Sequence, residues 1–465
     1  MASQRPLSKA LNAAMIQDVP SYGNKFFYSL GFLSMISFIL LIITGLVMTF
    51  YGPGWWLTSG VGRYMRSVHL WATQAFVLFI ILHLLVVFFT SGFKKPRRLT
   101  WVIGVLMLFV VLAETEFGYV LRGDFSSQWR GLQGADFYNG SGLGGLVNPL
   151  NYGQLYGIHI VIIPLTILGL LAGHYLLVRI LGIAKPYRKD VAATTVPADH
   201  TKLFVRGGAL AGLILVLAVL LPSPYIRATT VQFVAQQDPF VVGKTLLAEF
   251  TSTSDTATYL DNIDPYTYST RAVYIAAPYR QYLQSQPGTR DALQAYYAEA
   301  PAVQSQQLSQ ANDYFAQDKP GASKQPTSPL MTVIGSLTTM AQTGLYEPAL
   351  DASNSSIINS GGTTYATRFL ADTGTLETKA TALSITTDQY GMVREESGKA
   401  PGAWWLTPIG LLNHTVLAND DNGDRDAAII FGSLLLTMLA FPFIPYVNQV
   451  PDKLKVYRLI WRTKK

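Results

Sequence analysis

The chain has 465 residues, of which 49% are hydrophobic and only 14% charged, with a formal net charge of +7 and no cysteine. The lack of cysteine excludes disulfides, cysteine-ligated iron–sulfur clusters and thioether-attached cofactors, so any redox group must be held by other side chains. Several apolar runs exceed the roughly 18 residues that mark a spanning helix, which places the chain among integral membrane proteins.

In chain order, residues 1–25 form a polar, positively charged N-terminal segment. The first apolar run, 26–50, lacks a small-residue cleavage site and reads as a retained span. Further spans are expected at 67–92, 99–121 and 155–181, joined by short loops into a four-helix bundle over 26–185. Residues 186–222 hold a loop and a fifth span at 204–222, which stops at LPSPYIR, where Pro222 and Pro224 break the helix. Residues 223–426 differ in composition, being rich in Ser, Thr, Gln, Ala and Tyr. Within them 289–317 has helical propensity interrupted at Pro301, and 329–345 reads as a buried helix too short to cross a bilayer. The stretch DASNSSIINSGGTT at 351–364 reads as loop, and the paired tryptophans of AWWLTPIGLL at 403–412 suit a membrane interface. A sixth span, 427–446, precedes a basic tail at 447–465. The expected fold is therefore an all-α membrane protein: a four-helix bundle, two further spans, and a large insertion of mostly helical and irregular structure.

Charge orients this arrangement. Residues 223–426 carry 12 Lys+Arg and 20 Asp+Glu, a net of −8, while the rest carries 23 and 8, a net of +15. Nineteen of those 23 basic residues fall on one side of the six-span scheme, including the loop FKKPRR at 93–98 and the tail from Lys453. By the positive-inside rule that side is the cytoplasm, so both termini are cytoplasmic and 223–426 is extracytoplasmic. The high pI follows from this topology and calls for no nucleic-acid partner.

Four of the six histidines lie in two spans. His69 and His83 are 14 residues apart, which on a helix is about 40° in azimuth and about 21 Å along the axis. His159 and His174 are 15 apart, about 60° and about 22 Å. Both helices run from outside to inside, so His69 and His159 are level near the outer surface, and His83 and His174 near the inner one. Two facing imidazoles at one level suit a planar iron porphyrin, and two levels suit two non-covalent b-type haems stacked across the bilayer. Isolated polar residues bonded between helices are the simpler alternative, and matching separations on two helices argue against it. Glycines share the period: Gly31 and Gly45 in the first span, Gly104 and Gly118 in the third, each pair 14 apart. Positions without a Cβ let a porphyrin edge lie against a helix, although small residues also serve ordinary helix packing. Arg66, one turn from His69, is placed either to pair with a haem propionate or to anchor the helix at the interface.

These features resemble the cytochrome b family, the dihaem subunit of cytochrome bc-type complexes. The resemblance rests on TGLVMTFY at 44–51, RSVH at 66–69, GFKKPRRLTWVIG at 92–104, GYVL at 118–121 and the two histidine pairs, and covers about residues 20–185. The 15-residue spacing and the GFKKPR loop are most similar to the b6 branch. The resemblance implies haem ligation by His69/His159 and His83/His174, with Arg66 near an outer propionate and Arg179 beside the inner haem. It also implies quinol and quinone as substrates, iron–sulfur or c-type cytochrome partner subunits, a homodimer within the complex, and a bacterial or archaeal plasma membrane.

The C-terminal part departs from the family. Relatives follow GYVL with Pro-Trp and carry a Pro-Glu-Trp-Tyr motif after the fifth span; here GYVL is followed by Arg122-Gly123 and no PEWY occurs. The third span, LAETEFGYVL, instead holds Glu114 and Glu116, and a carboxylate at membrane depth is a functional candidate. Glu114 lies about 40° from Gly118, whereas Glu116 points the other way with Tyr119 one turn on. In the family, the positions matching Glu116 and Tyr119 border the outer quinol site, so Glu116 is the candidate proton acceptor; an ion pair to Arg122 or to the insertion is the alternative. His200 is a candidate for the inner quinone site, with a solvated loop residue as the plainer reading, and His414 has no assigned role. The expected activity is a quinol-oxidising electron-transfer subunit of the proton-translocating quinol:cytochrome c reductase type, with outer quinol oxidation and inner quinone reduction. The alternative is a non-bifurcating dihaem anchor linking the quinone pool to a periplasmic redox partner. The acidic insertion is expected to dock or shield, favouring a basic partner.

Overall fold

The computed structural model describes residues 15–184, 194–260, 269–283, 289–317, 324–352, 362–386, 389, 393, 401–420 and 422–461. Six helices in it are long and apolar enough to cross a membrane. They are α1 (Leu30–Thr58), α2 (Gly60–Phe89), α3 (Arg98–Val120), α5 (Tyr152–Leu181), α6 (His200–Leu220) and α7 (Gly423–Ala440), with the shorter α4 (Phe125–Gly140) between α3 and α5. Large apolar side chains along them, among them Ile43, Leu46, Leu165, Val219 and Leu436, stay exposed. Such a surface is favourable only in contact with lipid, so the chain is an all-α membrane protein.

The helices begin and end for local reasons. α1 runs past residue 50, bending at Gly52 (φ 72°) ahead of Pro53, and passes into α2 through Ser59, whose side chain accepts from the Gly62 backbone N–H. α7 stops earlier than residue 446, in the short turn Phe441–Phe443 that contains Pro442. The link between α3 and α5 holds a helix of its own rather than a plain loop. Asp124 caps α4 in a reciprocal capping box with Ser127, and that 16-residue helix carries Phe125 and Trp129 into the insertion's core.

The two ends of the bundle are tied differently. At the basic end, a two-stranded antiparallel ribbon pairs Asp18–Pro20 with Thr195–Pro197. Tyr22 there donates to Ala184 O at 2.6 Å, and Asp452 accepts from Ser91 and Lys94. At the other end, fully buried Asp124 accepts from Arg66 at 2.9 Å and Arg122 at 2.8 Å. Both arginines also donate to Pro224 O, and the Trp71 indole donates to Leu221 O, so the exit of α6 is pinned to α2 and α3.

The insertion packs its own helical core around Pro329–Gln342, whose Leu330, Val333, Ile334 and Leu337 are buried. Ala292–Ala298 and Pro301–Phe315 are separate helices, with Pro301 in the first turn of the second. Most of the expected loop 351–364, and the basic residues in 1–14, 185–193 and 462–465, lie outside the described residues. The Trp pair folds onto the bundle: Trp405 is buried against the spans, and the Trp404 indole donates to Gln74 Oε1 at 2.9 Å.

One buried pair makes the insertion sensitive to pH. Glu249, fully enclosed, accepts from Ser254 Oγ at 2.8 Å, while Asp372 accepts from the Thr256 N–H at 3.2 Å. Burial first, then the neighbouring Asp372, pushes the Glu249 carboxyl up to about 9. The folded insertion therefore keeps a proton that the unfolded chain has lost, so its stability is fully present below the ordinary carboxyl range and falls as pH rises towards about 9. Thermal unfolding of the detergent-solubilised protein across that window should show this decline, and Glu249→Gln should flatten it.

Candidate functional site

The four span histidines come together in pairs. His69 on α2 and His159 on α5 have ring centroids 6.4 Å apart with planes crossing at 69°, and His83 and His174 repeat this at 6.4 Å and 76°. The unequal sequence spacings are reconciled by a π-turn over Ile158–Ile162, in which the Ile163 N–H reaches Ile158 O. This wider turn absorbs the one extra residue of α5 and aims His159 across at His69.

Each imidazole faces one of the four periodic glycines. A Cβ on Gly31 would stand 3.5 Å from His83 Cε1, one on Gly45 3.5 Å from His69 Cε1, and one on Gly104 3.3 Å from His174 Cε1. At Gly118 it would stand only 2.8 Å from His159 Cε1. The atoms these glycines clear are thus the imidazole rings themselves, on the helices opposite.

The pair nearer the insertion, His69 and His159, differs from the other in its neighbours. Thr44 Oγ1 lies 2.8 Å from His69 Nδ1, and Glu114 Oε1 lies 3.1 Å from His159 Nδ1. The Thr44 hydroxyl engages His69 Nδ1, and the Glu114 carboxylate lies at ion-pair distance from His159 Nδ1, which leaves the Nε2 atoms for a ligand. The cavity between α1, α2, α3 and α5 is lined by Gly45, His69, Gly118 and His159, together with Arg66 and Glu114.

The spacing fits a metal with two axial imidazoles. With metal–nitrogen bonds of about 2 Å and ring nitrogens about 1.1 Å from their centroids, such a pair stands about 6.3 Å apart. Each pair offers two ligands, so a metal there must bring its remaining donors with it, as the iron of a porphyrin does.

A second cluster surrounds the end of α3. Glu116 pairs with Arg130 of α4 at 3.5 Å; Arg122, one partner offered by the alternative ion-pair reading, goes to Asp124. The Arg130 guanidinium lies 4.3 Å from the centroid of the Tyr119 ring, and Trp405 packs on Tyr119 at 6.4 Å. Gln74 donates to Tyr119 Oη at 3.4 Å and to Pro401 O and Gly402 O at 3.1 Å each. Segment 401–406 of the insertion thus forms one wall of the cluster. Tyr138 on α4 is pushed up to about 12 by burial and by the charge of Glu116, which keeps it a neutral phenol.

The remaining candidates lie apart. His200 opens α6, with Nε2 2.9 Å from Ile16 O. Arg179 is exposed in the last turn of α5, five residues beyond His174. Gln74, Arg130 and Asp124 escaped sequence reasoning, and Trp405 was read there only as one of an interfacial pair. The PGAWWL string, proline followed by paired aromatics where a family motif was missing, was the one available signal.

Residues 74–137 match the family described as Cytochrome b(N-terminal)/b6/petB. Cytochrome b6 of Heliobacterium modesticaldum is 33% identical over 190 residues, covering 36% of this chain and 89% of that protein. Cytochrome b6 of Prochlorococcus marinus (strain MIT 9211) is also 33% identical over 190 residues, with 36% and 87% covered. Among solved structures, a chain of a "Hyperthermophilic respiratory Complex III" aligns over 96% of this chain and 98% of its own at 14% identity and a TM-score of 0.41, a superposition too loose to argue from.

The glycine contacts grade the cost of filling each position. Gly118→Ala forces a clash with His159 and should cost about 1–3 kcal/mol, while Gly45→Ala meets ordinary van der Waals contact and should cost little. Thermal unfolding of the two variants in detergent measures the difference.

Proposed function

The chain belongs to the cytochrome b family, and from that premise we propose that it is the dihaem subunit of a bc-type quinol oxidoreductase. The observation that carries the proposal is the pair of equal 6.4 Å imidazole spacings, each ring backed by a glycine. In this reading His69 and His159 hold the haem nearer the insertion, and His83 and His174 hold the one nearer the basic end. Arg66, beside the first, offers a counter-charge for a propionate while bonded to Asp124, and Arg179 does so for the second. Bound there, the two haems supply one-electron carriers at two depths of the membrane.

The chain's own residues handle the quinol. Oxidising a quinol removes two electrons and two protons, and the protons need an acceptor in a site closed to bulk water. Glu116 is that acceptor: it stands at the end of the span, half-buried, with Arg130 holding the carboxylate ready for a proton. Tyr119 and Trp405, packed on one another, form an aromatic wall beside it, and Gln74 fixes segment 401–406 against them. One electron leaves to an iron–sulfur or haem centre of a partner subunit. The other crosses within this chain to quinone at the basic end, which the positive-inside rule makes cytoplasmic. His200 stands at that end as the weaker candidate for the inner site.

Glu116→Gln should lower quinol oxidation by about 10²–10⁴-fold with haem content intact. An unchanged rate would remove Glu116 from the mechanism. The departures at Arg122-Gly123 and PEWY keep the non-bifurcating conduit as the second reading. A redox titration with quinol and an outer-site inhibitor separates the two: added oxidant should reduce the b haems if electrons bifurcate, and should leave them oxidised in a simple conduit.

A further inference from the structure

Glu114 takes no part in the quinol chemistry above, yet its carboxylate lies 3.1 Å from His159 Nδ1 inside an apolar bundle. It shares α3 with Gly118, the glycine against which the His159 ring packs most closely, so one helix meets the Nδ1–Cε1 edge of that ring. The partner imidazole, His69, meets only the neutral hydroxyl of Thr44 at 2.8 Å. Among the described residues, neither His83 nor His174 has a carboxylate within ion-pair distance. The carboxylate is therefore confined to one ligand of one pair.

We infer that Glu114 is a positioning residue for His159: its carboxylate accepts the Nδ1 proton, fixes the tautomer that turns Nε2 to the iron, and lowers the reduction potential of the outer haem. The inference rests on the dihaem reading. An imidazole that donates to a carboxylate is a stronger ligand, and a stronger anionic-leaning ligand stabilises the oxidised metal. Arg66 and Arg122 line the same cavity and act in the opposite sense, with Asp124 between them. They stay in place when Glu114 is changed, so the effect of Glu114 is read by difference. A lower outer potential directs electrons from the outer haem to the inner one, which supplies a driving force for crossing the membrane without a further group.

The test is a spectroscopic redox titration of the purified full chain with its haems. Pyridine haemochrome counting comes first: fewer than two b-type haems in the parent protein would fail the dihaem reading itself. With two present, Glu114→Gln should raise one midpoint potential and leave the other unmoved, and Glu114→Leu should raise the same one further. Both potentials unchanged at full haem content would overturn the inference and leave the dihaem reading standing. Should Glu114→Gln release the outer haem, Glu114→Asp, which keeps the carboxylate, should retain it at a low potential. Loss of haem from Glu114→Asp as well would overturn the inference.

Discussion

An imidazole inside hydrocarbon has to be bonded, and four of them in one bundle dictate how its helices approach. The rings reach across the interior towards one another, so each backs onto the helix behind it. Only a residue without a side chain leaves room there, and at Gly118 even a methyl group would strike the His159 ring. The glycine period of α1 and α3 is thus a consequence of the histidine period of α2 and α5. The π-turn at Ile158–Ile162 belongs to the same constraint, since a regular helix would rotate His159 out of register with His69 by about 100°.

The upper end of this arrangement is held by charge. Asp124 is fully buried between Arg66 and Arg122, and the same arginines meet the carbonyl of Pro224, where the chain leaves α6 for the insertion. A buried carboxylate with two cationic donors is costly to break, since removing one partner strands a charge at about 3–5 kcal/mol. Asp124 also caps α4, whose Phe125 and Trp129 enter the insertion's core. One side chain therefore couples the histidine-bearing helix, the end of α3 and the extramembrane domain. That coupling explains how an insertion of unrelated composition can wall a site in the bundle.

The parts of this structure that repeat along one helix were legible in the sequence. Apolar runs, the two histidine pairs and the glycine quartet each depend on spacing within a single element, and the fixed helical pitch turns spacing into placement. Pairings between elements were not. Glu114 was correctly turned towards Gly118 by its angle, yet its meeting with His159 depends on how α3 and α5 pack, which spacing does not specify. Arg130 was invisible as the partner of Glu116 because the 121–151 link reads as loop until Asp124 is recognised as a helix cap. The contact of the Trp pair with Gln74 was hidden for a similar reason, since spacing within 403–412 does not specify which span it meets.

The return of the insertion onto the bundle bears on the missing family motif. In the relatives implied by the sequence resemblance, the proline, the acid and the aromatic wall arrive together in one loop. Here Pro401, Trp404 and Trp405 arrive from the insertion, while the carboxylate comes from α3 as Glu116, with Arg130 supplied by α4. On the proposed function, three elements would contribute what one loop does in those relatives, and they meet at Tyr119, the residue shared with the family's GYVL string. In the proposed quinol site, the acid is thereby fixed to a spanning helix, the more rigid support, and the aromatic wall to a domain with its own core. The geometry between acid and ring then depends on how firmly the insertion docks, so the domain and the chemistry have to be explained together.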